Sequence, residues 1–178
     1  MSATASIEVV GVKDAIRELG KIDKEARKQL TRDYKELVAP AVNTAKTMTP
    51  TSPPLSGMQY NWKGRSGAQL MPWNDGQSDK AIKPFVSAKK PKAFSGYTSH
   101  LATFGLRWSA ANATIVEMSG KGSVPTDAGR RMVSALSARY GQPGRFLWKA
   151  FTQHEREVVA GVERLVKDVM RTVNERLK

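Results

Sequence analysis

The last stretch of the chain, Arg145 to Lys178, constrains the fold most. It reads RFLWKAFTQHEREVVAGVERLVKDVMRTVNERLK. Leu147, Phe151, Val158, Val162, Leu165, Val166, Val169, Val173 and Leu177 recur three or four positions apart, with mostly charged residues between them. That is the period of a helix, so the stretch predicts one amphipathic helix. Pro143-Gly144 punctuates its start, and Gly161 is a tolerable weakness inside it. Such a helix runs to about 50 Å at 1.5 Å per residue. Its apolar stripe needs a cover, and a small domain does not easily supply all of it.

The rest of the chain offers one partner of similar length. After a short alternating strand at Ser6–Val10, ended by Gly11, the period changes. Val12, Ile16, Leu19, Ile22, Ala26, Leu30, Tyr34, Leu37, Val38, Ala41, Val42, Ala45 and Met48 form a second helical stripe. This predicts a helix over 12–47 with a kink or break near Leu37–Pro40, because proline lacks the amide donor and clashes one turn back; the pattern resumes after Pro40, which favours a kink over a stop. Pro50 ends it.

Residues 49–80 hold Pro50, Pro53, Pro54, Pro72 and four glycines, and no period survives there. A structureless stretch of this length is uncommon in a compact domain. It carries Tyr60, Trp62 and Trp73, and two readings stay open. Either it is an arm whose aromatic residues dock on a partner, or it folds over its own domain and the tryptophans fill the core edge. Ile82, Phe85 and Val86 then suggest a strand, which Pro84 confines to a sheet edge. In 98–109 the alternate residues Ala102, Phe104, Leu106 and Trp108 are apolar, as in a half-buried strand. The run 110–120 reads as a strand or turn. Met132, Val133, Leu136 and Tyr140 mark a helix over 126–140, with Thr126 or Asp127 as its cap. The order predicts one α+β domain over 1–178: two long helices on a small, mainly antiparallel sheet, with an irregular arm or insertion at 49–97.

The sequence has no catalytic signature. His100 and His154 stand in no metal-ligand spacing, and GxSxG, GxxxxGK[ST] and GxGxxG are absent. Ser119-Gly120-Lys121-Gly122-Ser123 lacks the spacing of a phosphate loop and reads as a turn. With no cysteine, the chain has no disulfide framework and no thiolate nucleophile. The reading is a non-enzyme without cofactor or metal. No signal peptide is expected in MSATASIEVV, nor any membrane span, since no apolar run reaches the length of one. The net charge is +13, from 29 basic and 16 acidic residues, which points to a polyanionic partner, nucleic acid or acidic protein. Lys89, Lys90 and Lys92 form the densest basic cluster and are the candidates for DNA or partner contact.

Several stretches carry a likeness. Ile7-Glu8-Val9-Val10-Gly11 runs into a long helix. That helix closes on Ala41–Pro50 ahead of Leu55-Ser56-Gly57. Ile115-Val116-Glu117-Met118-Ser119-Gly120 is similar to a "VEFGT" pattern, and Arg145-Phe146-Leu147-Trp148-Lys149-Ala150 to "PFLRPA" leading into a terminal helix. Together they resemble the small neck or tail-completion proteins of long-tailed bacteriophages, minor tail components encoded among head–tail joining genes. Leu55-Ser56-Gly57 departs from the Thr-Gly-x-Leu more usual there, and residues 51–97 and 121–144 look like insertions. The resemblance implies a structural virion protein. It implies a homo-oligomeric ring, often a hexamer, between the head connector or stopper and the tail terminator or tail tube. Double-stranded genomic DNA passes through the lumen of such rings. The resemblance also implies a location in the virion neck, after assembly in the host cytoplasm. On this reading Glu117, Phe146, Val169 and Val173 are subunit-contact candidates, and Tyr60, Trp62 and Trp73 dock the arm. The alternative is a sequence-independent DNA-binding protein.

Overall fold

A computed structural model describes residues 3–10, 24–59, 63, 66–67, 73, 81–87, 101–110 and 112–176. The architecture is α+β. Strand β1 is Ala3–Val10, followed by helices α1 (Lys24–Leu37), α2 (Ala39–Met48) and the single turn α3 (Ser56–Gln59). Strands β2 (Ile82–Ser87) and β3 (Leu101–Trp108) come next, then α4 (Ala113–Met118), α5 (Asp127–Tyr140) and α6 (Leu147–Arg176). The sheet order is β1-β3-β2. Ser109, just past β3, donates its amide to the carbonyl of Ala81, just before β2, at 3.1 Å. β2 and β3 therefore run antiparallel. Pro84 lies on the edge strand β2, the kind of strand that tolerates a missing amide.

One expectation is met and one is corrected. The helix over 12–47 is described from Lys24 and is divided at Val38 into α1 and α2. Pro40 is the second residue of α2, inside the first turn, where a missing amide is tolerated. The interruption is narrow, because the Val38 amide still donates to the Tyr34 carbonyl at 3.1 Å. The run 110–120, read as strand or turn, forms the helix α4 instead. Its β-branched residues Thr114, Ile115 and Val116 favour a strand in isolation. Burial of Ala113, Val116 and Glu117, three and four apart, overrides that preference.

The contacts divide the chain into two compact units. One consists of Met1–Ala5, Val42–Lys83 and Arg107–Thr152; the other consists of Ser6–Ala41, Pro84–Leu106 and Gln153–Lys178. In the first, Met58, Ile82, Trp108, Val116, Leu136, Phe146, Leu147 and Phe151 are buried. Its rings meet edge to face in a chain: Trp73 with Trp108 at 6.1 Å, Trp108 with Phe146 at 6.0 Å, and Phe146 with Tyr140 at 5.3 Å. Each such pair contributes about 0.5–1.5 kcal/mol beyond burial. Thr126 caps α5, its hydroxyl accepting from the Gly129 amide at 3.1 Å, as the sequence expected.

In the second unit α1 packs on β3 and on α6. Tyr34 meets Phe104 edge to face at 5.2 Å. Gly161 sits against Leu37 so closely that a Cβ there would fall on the leucine side chain. A glycine that looked like a weak point in a long helix is the point of closest approach between two helices. Val158 and Val162 are buried in this unit, so the α6 stripe finds much of its cover within the chain.

Candidate functional site

The densest polar chemistry lies where α4, α5 and α6 end or begin. The first four amides of a helix and its last four carbonyls have no partner inside the helix. Here two buried side chains supply the partners. Glu117, only 1% exposed, lies on α4 and faces the start of α6. Its carboxylate accepts from the amides of Phe146 at 3.0 Å, Leu147 at 3.3 Å and Trp148 at 2.9 Å. A negative charge at a helix N-terminus also meets the positive end of the helix dipole.

Arg145, 2% exposed, makes the reciprocal contacts. Its Nε donates to the Gly141 carbonyl at 3.1 Å. One terminal nitrogen donates to the carbonyls of Val116 and Glu117 at 3.0 and 3.4 Å. The other donates to the Ser119 carbonyl at 3.0 Å and the Ser137 hydroxyl at 3.2 Å. These acceptors lie at the C-terminal ends of α4 and α5, where a cation is favoured. Burial pushes the guanidinium pKa down from its ordinary value, and the Glu117 carboxylate opposes that shift. The Gly144 amide closes the turn on the Glu117 carbonyl at 2.7 Å. The arrangement is a clasp that fixes three helix ends. Every polar side-chain atom of the pair is hydrogen-bonded within this unit.

Around the clasp the surface is basic. Gly144 lies beneath Trp148, with a built Cβ 3.4 Å from that side chain. The indole is 51% exposed and leans on Phe151 with ring centroids 6.3 Å apart. Gly120 has φ +95°, and a Cβ there would press on Val133 and lie 3.5 Å from Pro143, so its neighbour Lys121 sits at the same turn. Arg139 lies over the Tyr140 ring, 5.3 Å from its centroid. Lys121, Arg139 and Lys149 are all exposed. Among the described residues of this unit the carboxylates are Glu117, buried, and Asp127, at the opposite end of α5.

The expected site residues fare differently. Lys89, Lys90, Lys92, Tyr60 and Trp62 lie outside the described residues, as does the side chain of Val173. Trp73 is half-buried against Trp108, which for this residue favours the loop folded on its own unit over the docking arm. Glu117 and Phe146, expected to hold the fold or the ring together, are interior in this unit, where capping and ring packing bury them. Val169, 8% exposed, is packed in the second unit, where it lines a groove between α1 and α6. Arg145 and Trp148 were not singled out. Arg145 bonds to acceptors up to 29 residues away, which no local pattern reveals. Trp148 could have been found, since it stands off the apolar stripe of its own helix.

Among the described residues no group of three or more His, Cys, Asp or Glu could hold a metal ion, and no helix is long and apolar enough to cross a membrane. Comparison with protein-family models, with curated proteins and with solved structures finds no match.

Proposed function

We propose that this chain is a structural protein of a bacteriophage head–tail connection, assembling as a ring between the head connector and the tail tube, through which DNA passes. One observation carries the reading. Two of the motifs that carry the likeness, Ile115–Gly120 and Arg145–Ala150, are far apart in sequence and meet in one clasp through Glu117 and Arg145. A motif pair that folds as one piece is better support than two short matches. The basic balance suits a DNA conduit or an acidic neighbouring ring.

The test is assembly with the neighbours. The purified chain is mixed with head-connector and tail-tube proteins and followed by light scattering and electron microscopy. A closed oligomer, alone or on a partner ring, is expected. A monomer that persists in the presence of both partners overturns the reading. The second reading, sequence-independent DNA binding, draws on the basic surface at Lys121, Arg139 and Lys149. It predicts duplex affinity that falls steeply with salt, and it fails if no duplex binding is measurable at low salt.

A further inference from the structure

The exposed indole and the groove in the second unit have complementary chemistry. The groove is about 180 Å³ and is lined by Gln29, Leu30 and Asp33 of α1 and Leu165, Asp168, Val169 and Thr172 of α6. Its floor is apolar. Its charged lining residues are Asp33 and Asp168, both acidic, in a chain whose net charge is +13. Asp33, half-buried, accepts a hydrogen bond from Gln29, and Asp168, exposed, pairs with Arg171 at 3.2 Å. An apolar cavity of about 150 Å³ accepts a benzene ring, so this groove is large enough for one aromatic anchor.

Trp148 has the matching character. It is the most exposed large hydrophobic side chain among the described residues, and the exposed Lys149 follows it directly in the chain. Tryptophan is enriched among the few residues that anchor protein interfaces. An indole cannot intercalate into an intact duplex cheaply, because that requires unstacking a base step. The combination therefore favours a protein surface that offers an apolar pocket and carboxylates.

We propose that Trp148 of one copy docks into the α1–α6 groove of a second copy, with Lys149 and Arg139 approaching Asp33 and Asp168. Different surfaces meet across this contact, so it is heterologous, and repetition gives a ring or an open chain according to whether the rotation closes. The proposal supplies a self-contact for the ring reading above and rests on it only in that sense. Both the contact and the neck role can fail separately.

The experiment is sedimentation velocity across a concentration series, with the full chain and three variants. The parent self-associates reversibly. Trp148→Ala raises the dissociation constant by at least about tenfold. The double change Asp33→Lys with Asp168→Lys blocks the groove and has a similar effect. Mixing these two variants gives a one-to-one dimer and nothing larger, because one copy retains only the groove and the other only the indole. Circular dichroism melts check that each variant folds; the exposed Trp148→Ala is expected to melt close to the parent. Adding Lys149→Glu to the groove variant tests the charge pairing, and partial recovery of association is expected. A parent that stays monomeric at the highest concentration overturns the contact. So does association unaffected by Trp148→Ala, or a mixture that forms no dimer. If Trp148→Ala instead abolishes binding to a DNA duplex and leaves association unchanged, the contact is refuted and the surface belongs to nucleic acid. The neck reading survives any of these results if the chain assembles on the connector and tail-tube proteins.

Discussion

Glu117 and Arg145 are opposite charges removed from water, yet their contribution comes less from mutual attraction than from the backbone groups they satisfy. The carboxylate takes three amides, and the guanidinium uses all its donor directions on four carbonyls and a hydroxyl. Removing one member leaves the other buried and uncompensated, which costs about 3–5 kcal/mol. Glu117→Ala should therefore lower stability by about that amount in urea unfolding, and Glu117→Gln by less, because one acceptor oxygen remains. Arg145→Lys should also be costly, since an ammonium lacks the planar fork that reaches three segments. Tyr34 is the opposite case. It is fully buried, its hydroxyl has no hydrogen-bond partner among the described residues, and burial pushes its pKa up. The folded state thus holds the proton more tightly than the unfolded chain, whose tyrosine titrates near pH 10. Stability from this group is fully present below pH 10 and falls as pH rises above it. Tyr34→Phe should be at least as stable as the parent at neutral pH and should reduce the alkaline loss seen in thermal melts from pH 9 to 11.

At the scale of elements, the α1–α6 crossing turns on Gly161. Alanine is the better helix former by about 1 kcal/mol, so helix propensity alone predicts a gain from Gly161→Ala. The Leu37 side chain occupies the space the methyl group needs. Overpacking of this kind costs about 1–3 kcal/mol, so a net loss of stability is expected. Leu37→Ala should relieve it, and a double-mutant cycle in chemical denaturation should show strong coupling between the two positions. The other elements follow the sequence to different degrees. The alternation of Phe104, Leu106 and Trp108 gave β3, the apolar period gave α6, and Thr126 gave the start of α5. α4 escaped because its β-branched residues suggest a strand and its six residues are too few for a clear period.

For the whole molecule the net charge of +13 governs behaviour in solution. Like charges repel in the compact state, and salt screens them. The melting temperature of the isolated chain should therefore rise from low to physiological ionic strength. The proposed contact between copies pairs cations with carboxylates, so association should weaken over the same range. A salt series followed by both calorimetry and sedimentation separates the two effects. The stripe on α6 changes meaning at this scale. It was expected to leave a surplus over Val158–Leu177 for neighbours, with Val169 and Val173 as contact candidates. Val158, Val162 and Val169 are covered inside the second unit, and the conspicuous exposed apolar side chains of this helix are Trp148 at 51% and Met170 at 41%.

The sequence by itself determined the long terminal helix, the central strand, the edge strand with its proline, the capped helix over 126–140 and the α+β class. These are decided by periods of 3.6 and 2 and by caps, which are local and repeat within a few residues. The tertiary structure alone decided that Glu117 and Arg145 clasp three helix ends, that Trp73 turns inward, and that Gly161 is a crossing point. Each of these depends on a partner that is distant along the chain. Nothing in the neighbouring residues of Glu117 distinguishes a carboxylate that caps a remote helix from one that faces solvent, because the difference lies in burial, and burial is a property of the fold.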